Sequence, residues 1–203
     1  MRPCRFLAKY CRPVIWWVEV FLSCFTKCLK KASVPDSPDH GIRNIIVERF
    51  HILVVCTGNI CRSPMAEGML RYFMPENFKD IVTVSSAGTD ALHGNQATDF
   101  ATQAMRHDGI DILDHRARRL NRPMVVEADL ILVMEQYHLK FIRAMQWFGA
   151  GKAHLISHFD DTREPYDVPD PMGGGLDLYI ESAGLIHNCL VGIYAYLEER
   201  IDA

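Results

Sequence analysis

From about residue 50 onward, short apolar runs alternate with longer segments of helical pattern. Ile52-Leu-Val-Val55, Ile81-Val-Thr-Val84, Leu130-Ile-Leu-Val133 and Ala153-His-Leu-Ile156 are too short for helices and rich in branched aliphatic residues, so they read as strands. Residues 64–73, 97–107 and 136–148 have helical composition, the second ending near Gly109. Residues 159–175 are rich in Asp, Pro and Gly and read as loop. Residues 176–200 read as one long final helix, with Leu178, Leu185, Leu190, Ile193 and Leu197 among its apolar positions. Strands alternating with helices predict an α/β fold: a four-stranded parallel sheet with helices on both faces. Right-handed crossovers and a ligand site beyond the carboxyl ends of the strands follow from that architecture.

The first 46 residues have a different pattern. Val14–Phe25 is apolar apart from Glu19 and Ser23, yet twelve residues fall short of the about 20 that a membrane span needs. No small-x-small cleavage site follows, which argues against a signal peptide. At about 100° per residue, Arg2, Arg5, Lys9, Arg12, Lys27 and Lys30 share one side and Phe6, Leu7, Val14, Trp17, Phe21 and Phe25 lie largely away from it. That pattern resembles a basic amphipathic helix lying on a membrane surface or docked on a partner, with Pro13 kinking it. The expected organisation is a basic extension over 1–31, a Pro-containing linker over 32–46 and the α/β domain over 47–203.

Charge sharpens this division. Residues 1–44 hold eight of the 22 Lys/Arg but three of the 25 Asp/Glu, so an acidic domain carries a basic appendage. The net charge of −3 gives no global field for nucleic acid. Seven cysteines, four of them in the first 28 residues, form no regular disulfide or zinc framework, and a reducing, cytoplasmic compartment is the expectation. The 49% hydrophobic and 23% charged fractions exclude a disordered or collagenous chain.

The first strand runs directly into Cys56-Thr-Gly-Asn-Ile-Cys-Arg62-Ser63-Pro64. A strand–loop–helix junction at the carboxyl edge of a sheet gathers backbone N–H groups and a positive helix end around one point. Gly58 and Asn59 tolerate the unusual φ that a tightly curled loop needs. Such a nest binds a tetrahedral oxyanion, and Thr57, Gly58, Asn59, Ile60, Cys61 and Ser63 would line it. Arg62, six residues after Cys56, can come round the loop and grip two phosphate oxygens. Cys56 sits where the same N–H groups stabilise a thiolate, Ser63 can donate to the sulfur, and Pro64 suits a first helical turn. A buried cysteine closing an apolar strand is the plain alternative for Cys56 taken alone.

The string CTGNICRSPMAEG resembles the signature of the low-molecular-weight protein tyrosine phosphatases. Ser85-Ser-Ala-Gly-Thr89, His115-Arg-Ala-Arg118, Ala128–Glu135 and Val168-Pro-Asp-Pro171 match family blocks in the same order, over nearly all of 50–200. The resemblance implies hydrolysis of phosphotyrosine through a cysteinyl-phosphate, with Cys56 as nucleophile, Arg62 as phosphate clamp and Asp170 as general acid. Asn59, Ser86 and His115 match the network that keeps the loop curled. Met172 stands where an aromatic usually walls the pocket, and Leu92 takes the opposite wall, an aliphatic as in bacterial members. Cys61 matches the neighbour that forms a reversible disulfide with the nucleophile. No metal or other cofactor is implied. The implied partner is a phosphotyrosine-bearing protein, a tyrosine kinase being one candidate.

Three rivals remain in view. Arsenate reduction on the same fold relays electrons through further cysteines, and the sequence has none between Cys61 and Cys189. Protein-arginine phosphatases resemble this chain but carry threonine where Ile60 stands, and Ile60 offers an apolar floor suited to a phenyl ring. A phosphopeptide-binding module would be expected to lack Cys56 or Asp170. Arg116, Arg118, Arg119 and Arg122 form a local basic cluster that reads either as a steering patch or as a solvated helical face. His154 and His158 read as surface residues.

Overall fold

The computed structural model describes residues 49–145 and 150–201. The expected extension and linker lie outside the described residues. The sheet has four parallel strands in the order β2-β1-β3-β4: β1 (Phe50–Cys56), β2 (Val82–Gly88), β3 (Leu130–Val133) and β4 (Ala153–Leu155). The strand β1 is central, pairing Phe50 with Val82 through to Cys56 with Gly88 on one side and Ile52 with Leu130 on the other. Both of its faces are covered, which is why it reads as a continuous apolar run rather than an alternation.

The helices are α1 (Arg62–Tyr72), α2 (Asp99–His107), α3 (Arg122–Glu127), α4 (Gln136–Met145), α5 (Leu176–Asn188) and α6 (Leu190–Ile201). Two cores result, one on each face of the sheet. Ile52, Val54, Leu130 and Leu132 pack with Met65, Met105, Ile186 and Ile193. Leu53, Val55, Ile131 and Val133 pack with Val125, Leu139 and Ile142 on the other side. The fold expected from the pattern is therefore the fold observed.

Three local expectations need correction. The final helical stretch is two helices, broken at Cys189, where Cys189 N–H reaches Ile186 O in a tighter turn. Beyond the break Gly192 lies against the turn at Phe159, and a Cβ on it would meet Phe159 O at 2.3 Å, so only glycine lets α6 pack this closely on that turn. The short helix α3, capped by Asn121 accepting from Met124 N–H, has no counterpart in the sequence pattern, since its six residues show no full apolar period. The arginine cluster does not share one helical face: Arg116, Arg118 and Arg119 lie outside any helix, with Gly88 N–H on Arg118 O and Leu120 N–H on Gly88 O, and only Arg122 is helical, at the start of α3. Among the described residues no helix is long and apolar enough to cross a membrane.

Candidate active site

The loop between β1 and α1 is held from outside by its carbonyls. Cys56 O accepts from Thr89 N–H, Thr57 O from Asp90 N–H, and Ile60 O from Thr98 N–H, at 2.9 to 3.0 Å. His115 Nε2 donates to Asn59 O at 2.7 Å. In a trans peptide the C=O and the following N–H point in opposite directions. With those carbonyls turned outward, the amides of Thr57, Gly58, Ile60 and Cys61 face into the ring. Asn59 N–H already does so, meeting Cys56 Sγ at 3.2 Å. Asn59 has φ +54°, the left-handed value expected of a loop curled this tightly. Ser63, in the first turn of α1, lies beside Cys56, and with no side-chain cap and no acidic residue in that turn the positive end of the helix is left for an anion there.

Buried side chains fix the sulfur. Ser63 Oγ lies 3.0 Å from Cys56 Sγ, and Asn59 Nδ2 donates to both Ser63 Oγ and Ser86 Oγ at 2.9 Å. Because Ser63 Oγ accepts from Asn59, its own proton is available to the sulfur. Asn59 Oδ1 accepts from Arg118 N–H, and Ser86 Oγ donates to Glu67 Oε2. The structure thus brings Asn59, Ser86 and His115 together around the loop, with two further members: Glu67, not singled out from the sequence, and Arg118, read there only as part of the basic cluster. A further residue outside that expectation is Gly88: a Cβ there would meet Thr57 O at 2.4 Å and Asn59 N at 2.9 Å, so only glycine lets β2 close on the loop.

Arg62 is 1% exposed. Its Nη2 donates to Asp170 Oδ2 at 2.6 Å, and its Nη1 to Val168 O at 2.9 Å and to Glu135 Oε1. Its Nε is buried without a partner among the described residues. The cysteine loop and the loop carrying Asp170 therefore meet at one guanidinium. Glu135 lies two residues beyond β3, off the carboxyl edge of the sheet, a position that marks an acidic residue as a site candidate once the strand is recognised. Three residues on, His138 is fully buried and its Nε2 lies 2.9 Å from Thr57 Oγ1. Burial lowers the pKa of His138, and nearby Arg62 adds to this while Glu135 opposes it.

Cys61 is buried at the start of α1, with Sγ 3.5 Å from Tyr179 Oη and 3.7 Å from Thr98 Oγ1. Burial pushes its thiol pKa up, against the pull of those two hydroxyls. Cys56, Cys61 and Cys189 are all free thiols. Cys189 is fully buried with Sγ on Leu185 O, and burial pushes its pKa up to about 12, so it makes a poor electron relay. Leu92 and Met172 are 73% and 51% exposed, and Ile60 is partly exposed on the loop itself. His154 is half-buried rather than superficial, its ring stacked on that of exposed His158.

A family model described as low molecular weight phosphotyrosine protein phosphatase matches residues 51–202. The low molecular weight protein-tyrosine-phosphatase Ptp of Acinetobacter johnsonii is 38% identical over 140 residues, which cover 69% of this chain and 92% of that protein. Among solved structures, the YwlE arginine phosphatase of Geobacillus stearothermophilus superposes with a TM-score of 0.67 at 28% identity, covering 74% of this chain and 94% of that one. Vibrio vulnificus Wzb in complex with benzylphosphonate gives a TM-score of 0.65 at 29% identity, covering 73% and 99%.

Proposed function

The chain belongs to the low molecular weight protein tyrosine phosphatase family and hydrolyses phosphotyrosine through a cysteinyl-phosphate, and from that premise we propose that Cys56, Arg62 and Asp170 carry the reaction here. The observation that supports the assignment best is the ring itself: Asn59 N–H and Ser63 Oγ meet Cys56 Sγ at the carboxyl edge of β1, inside inward-facing amides. A phosphoryl group seated there receives the loop N–H groups on its oxygens. Arg62 Nε is the buried donor still to be satisfied, and a bidentate grip also takes Nη2. Taking Nη2 releases Asp170 Oδ2 from the guanidinium at the moment its carboxyl is needed elsewhere.

The thiolate of Cys56 attacks phosphorus in line. Asp170, released from the guanidinium, takes up a proton from solvent; the bond from phosphorus to the phenolic oxygen then breaks, and Asp170 gives that proton to the departing oxygen. As a carboxylate, Asp170 then takes a proton from the water that attacks the cysteinyl-phosphate. The S–P bond breaks, Ser63 donates to the departing sulfur, and inorganic phosphate leaves. Leu92 and Met172 supply the exposed apolar walls against which the phenyl ring packs, and Ile60 the floor. Glu67, through Ser86, and His115 hold Asn59 in its strained conformation.

The substrate is a protein bearing phosphotyrosine, with a tyrosine kinase as the candidate that the resemblance implies. A cytoplasmic location, with membrane or partner contact through residues 1–31, completes the reading. Turnover of phosphotyrosine, phosphoserine and phosphoarginine by the wild type, Cys56→Ser and Asp170→Ala tests the site. Phosphotyrosine is expected to be preferred, and Cys56→Ser to be inactive. Wild-type turnover in Cys56→Ser would overturn the assignment. For the extension, liposome co-sedimentation of the full chain is compared with a chain starting at Asn44, and equal partitioning rejects the contact.

A further inference from the structure

One helix start touches both ends of the phosphate-binding loop. Glu135, immediately before α4, receives Nη1 of Arg62 at the end of the loop, and His138, in the first turn of α4, meets Thr57 Oγ1 at its beginning. The same turn holds the acid-bearing segment, since Gln136 N–H donates to Asp167 Oδ1 and Val168 N–H to Met134 O, each at 2.8 Å. We propose that His138 is a positioning residue of the active site, which donates from Nε2 to Thr57 Oγ1 and thereby registers the start of the phosphate loop against the arginine and the acid loop.

The direction of the hydrogen bond follows from burial. His138 is 0% exposed and its Nδ1 has no partner among the described residues. A buried N–H without an acceptor is rarer and costlier than an idle lone pair, which places the single proton on Nε2. Arg62 faces the imidazole as a positive charge, and Glu135, Asp170 and Asp167 face it as negative ones. Burial outweighs the three carboxylates and keeps the ring neutral. Thr57 Oγ1 then accepts from His138 and keeps its own proton to give. That proton belongs to the residue next to the nucleophile, on a hydroxyl that is only partly buried. Because Thr57 directly follows Cys56, a side chain held in this way fixes the orientation of the first peptide of the loop. The loop is thereby registered against Arg62 and the acid segment before phosphate arrives, so loss of the bond falls on the rate, which depends on that alignment, more than on binding.

This proposal rests on the assignment of Cys56 as nucleophile, and a double-mutant cycle separates the two. The variants are Thr57→Val, His138→Leu, both together, and His138→Gln, whose amide nitrogen can occupy the place of Nε2. Each of the first two is expected to lose roughly tenfold in kcat on phosphotyrosine with KM within about twofold. The double variant is expected to lose no more than the worse single one. His138→Gln should recover most of the loss. Affinity for orthovanadate, which adopts the pentacoordinate shape, should fall more than affinity for inorganic phosphate. Thermal unfolding of each variant checks the fold, and if His138→Leu does not fold, Thr57→Val alone must show the kcat loss and the vanadate bias. Wild-type kcat in Thr57→Val, or losses that multiply in the double variant, would overturn the proposal while leaving Cys56→Ser inactive. Turnover by Cys56→Ser would overturn both.

Discussion

Arg62 and Asp170 are an ion pair, with Nη2 2.6 Å from Oδ2 across 108 residues of sequence. The arginine is 1% and the aspartate 43% exposed, so the buried partner is fixed and the exposed one can leave. A general acid tied to the clamp its substrate must occupy implies an exchange on binding. Asp170→Asn keeps an oxygen for Arg62 but has no proton to give, whereas Asp170→Ala loses both. Both are expected to lower kcat on phosphotyrosine by about 10²- to 10³-fold, because proton donation and not the tie sets the rate. With an aryl phosphate whose phenol is several pKa units more acidic, the leaving group needs less help and the loss should shrink to about tenfold or less. Equal losses on the two substrates would reject Asp170 as the acid.

Gly88 is the second test of the site, through the backbone. Alanine there places a Cβ 2.4 Å from Thr57 O, and the obstructing atom is main chain that cannot swing aside. The loop must shift by a fraction of an ångström or more, and misplacement on the scale of 1 Å costs about 10²-fold in rate. Gly184→Ala in α5 is the control, since a Cβ there meets nothing within 4 Å, and helix propensity favours it by about 0.5–1 kcal/mol. Steady-state kinetics beside thermal unfolding should show Gly88→Ala losing activity and Gly184→Ala unfolding slightly higher. A fully active Gly88→Ala would mean that the loop can be cradled otherwise.

How much of this was legible beforehand depended on sequence distance. Cys56 and Arg62 share one loop, so the strand, the glycine and asparagine, and the proline after them specified the site together. Asp170 emerged only through the family resemblance, because a lone Asp-Pro is an ordinary turn. Glu135 and His138 stayed hidden because their role depends on β3 lying beside β1, which local periodicity does not encode. The apolar pattern ends the second strand at Val84, because Ser85, Ser86, Ala87 and Gly88 have little intrinsic preference for strand. They remain extended because they pair with β1 up to Cys56, and Ser86 reaches the loop for the same reason. Cys189 illustrates the opposite error: nothing in the pattern of 176–200 marks the break that the Cys189 N–H to Ile186 O turn makes.

Ile60 is the residue expected to set the choice between phosphotyrosine and phosphoarginine. It is partly exposed on the loop, and an apolar floor meets a phenyl ring better than a guanidinium. Ile60→Thr should reduce kcat/KM for phosphotyrosine by about tenfold and raise it for phosphoarginine. The ratio of the two values is the measurement. A ratio unmoved by the substitution would transfer specificity to the walls at Leu92 and Met172.

Cys61 is expected to protect the nucleophile. Peroxide oxidises the Cys56 thiolate to a sulfenic acid, and the Cys61 thiol can then displace water to form a disulfide that a thiol reductant reopens. Because burial raises the Cys61 pKa, little of it is thiolate at neutral pH, and closure should accelerate as pH rises toward that value. After a peroxide pulse, the wild type should regain activity in reductant and Cys61→Ala should regain much less, with the fraction recovered by the wild type larger at pH 8.5 than at pH 6.5. Matching recovery in the two proteins would assign Cys61 to packing alone.

Asp160 anchors the segment that leads to the acid loop, and its protonation sets an acid limit to stability. Its side chain is 0% exposed and accepts from Thr162 N–H and Oγ1, from Tyr166 Oη at 2.9 Å and from Arg163 Nε at 3.2 Å. Burial alone would raise its pKa, but the hydrogen bonds outweigh that and hold it at about 2, below its ordinary 3.8. A carboxyl more acidic folded than unfolded contributes stability in full above the unfolded value, and that contribution is lost as pH falls from about 4 through about 2. The shift corresponds to roughly 2 kcal/mol. Asp160→Asn should therefore be clearly less stable than the wild type at pH 7, and the gap should narrow by about that amount when denaturant unfolding is repeated at pH 2. A gap that stays constant over this range would show that the ionised carboxylate is not what ties Thr162, Arg163 and Tyr166 together.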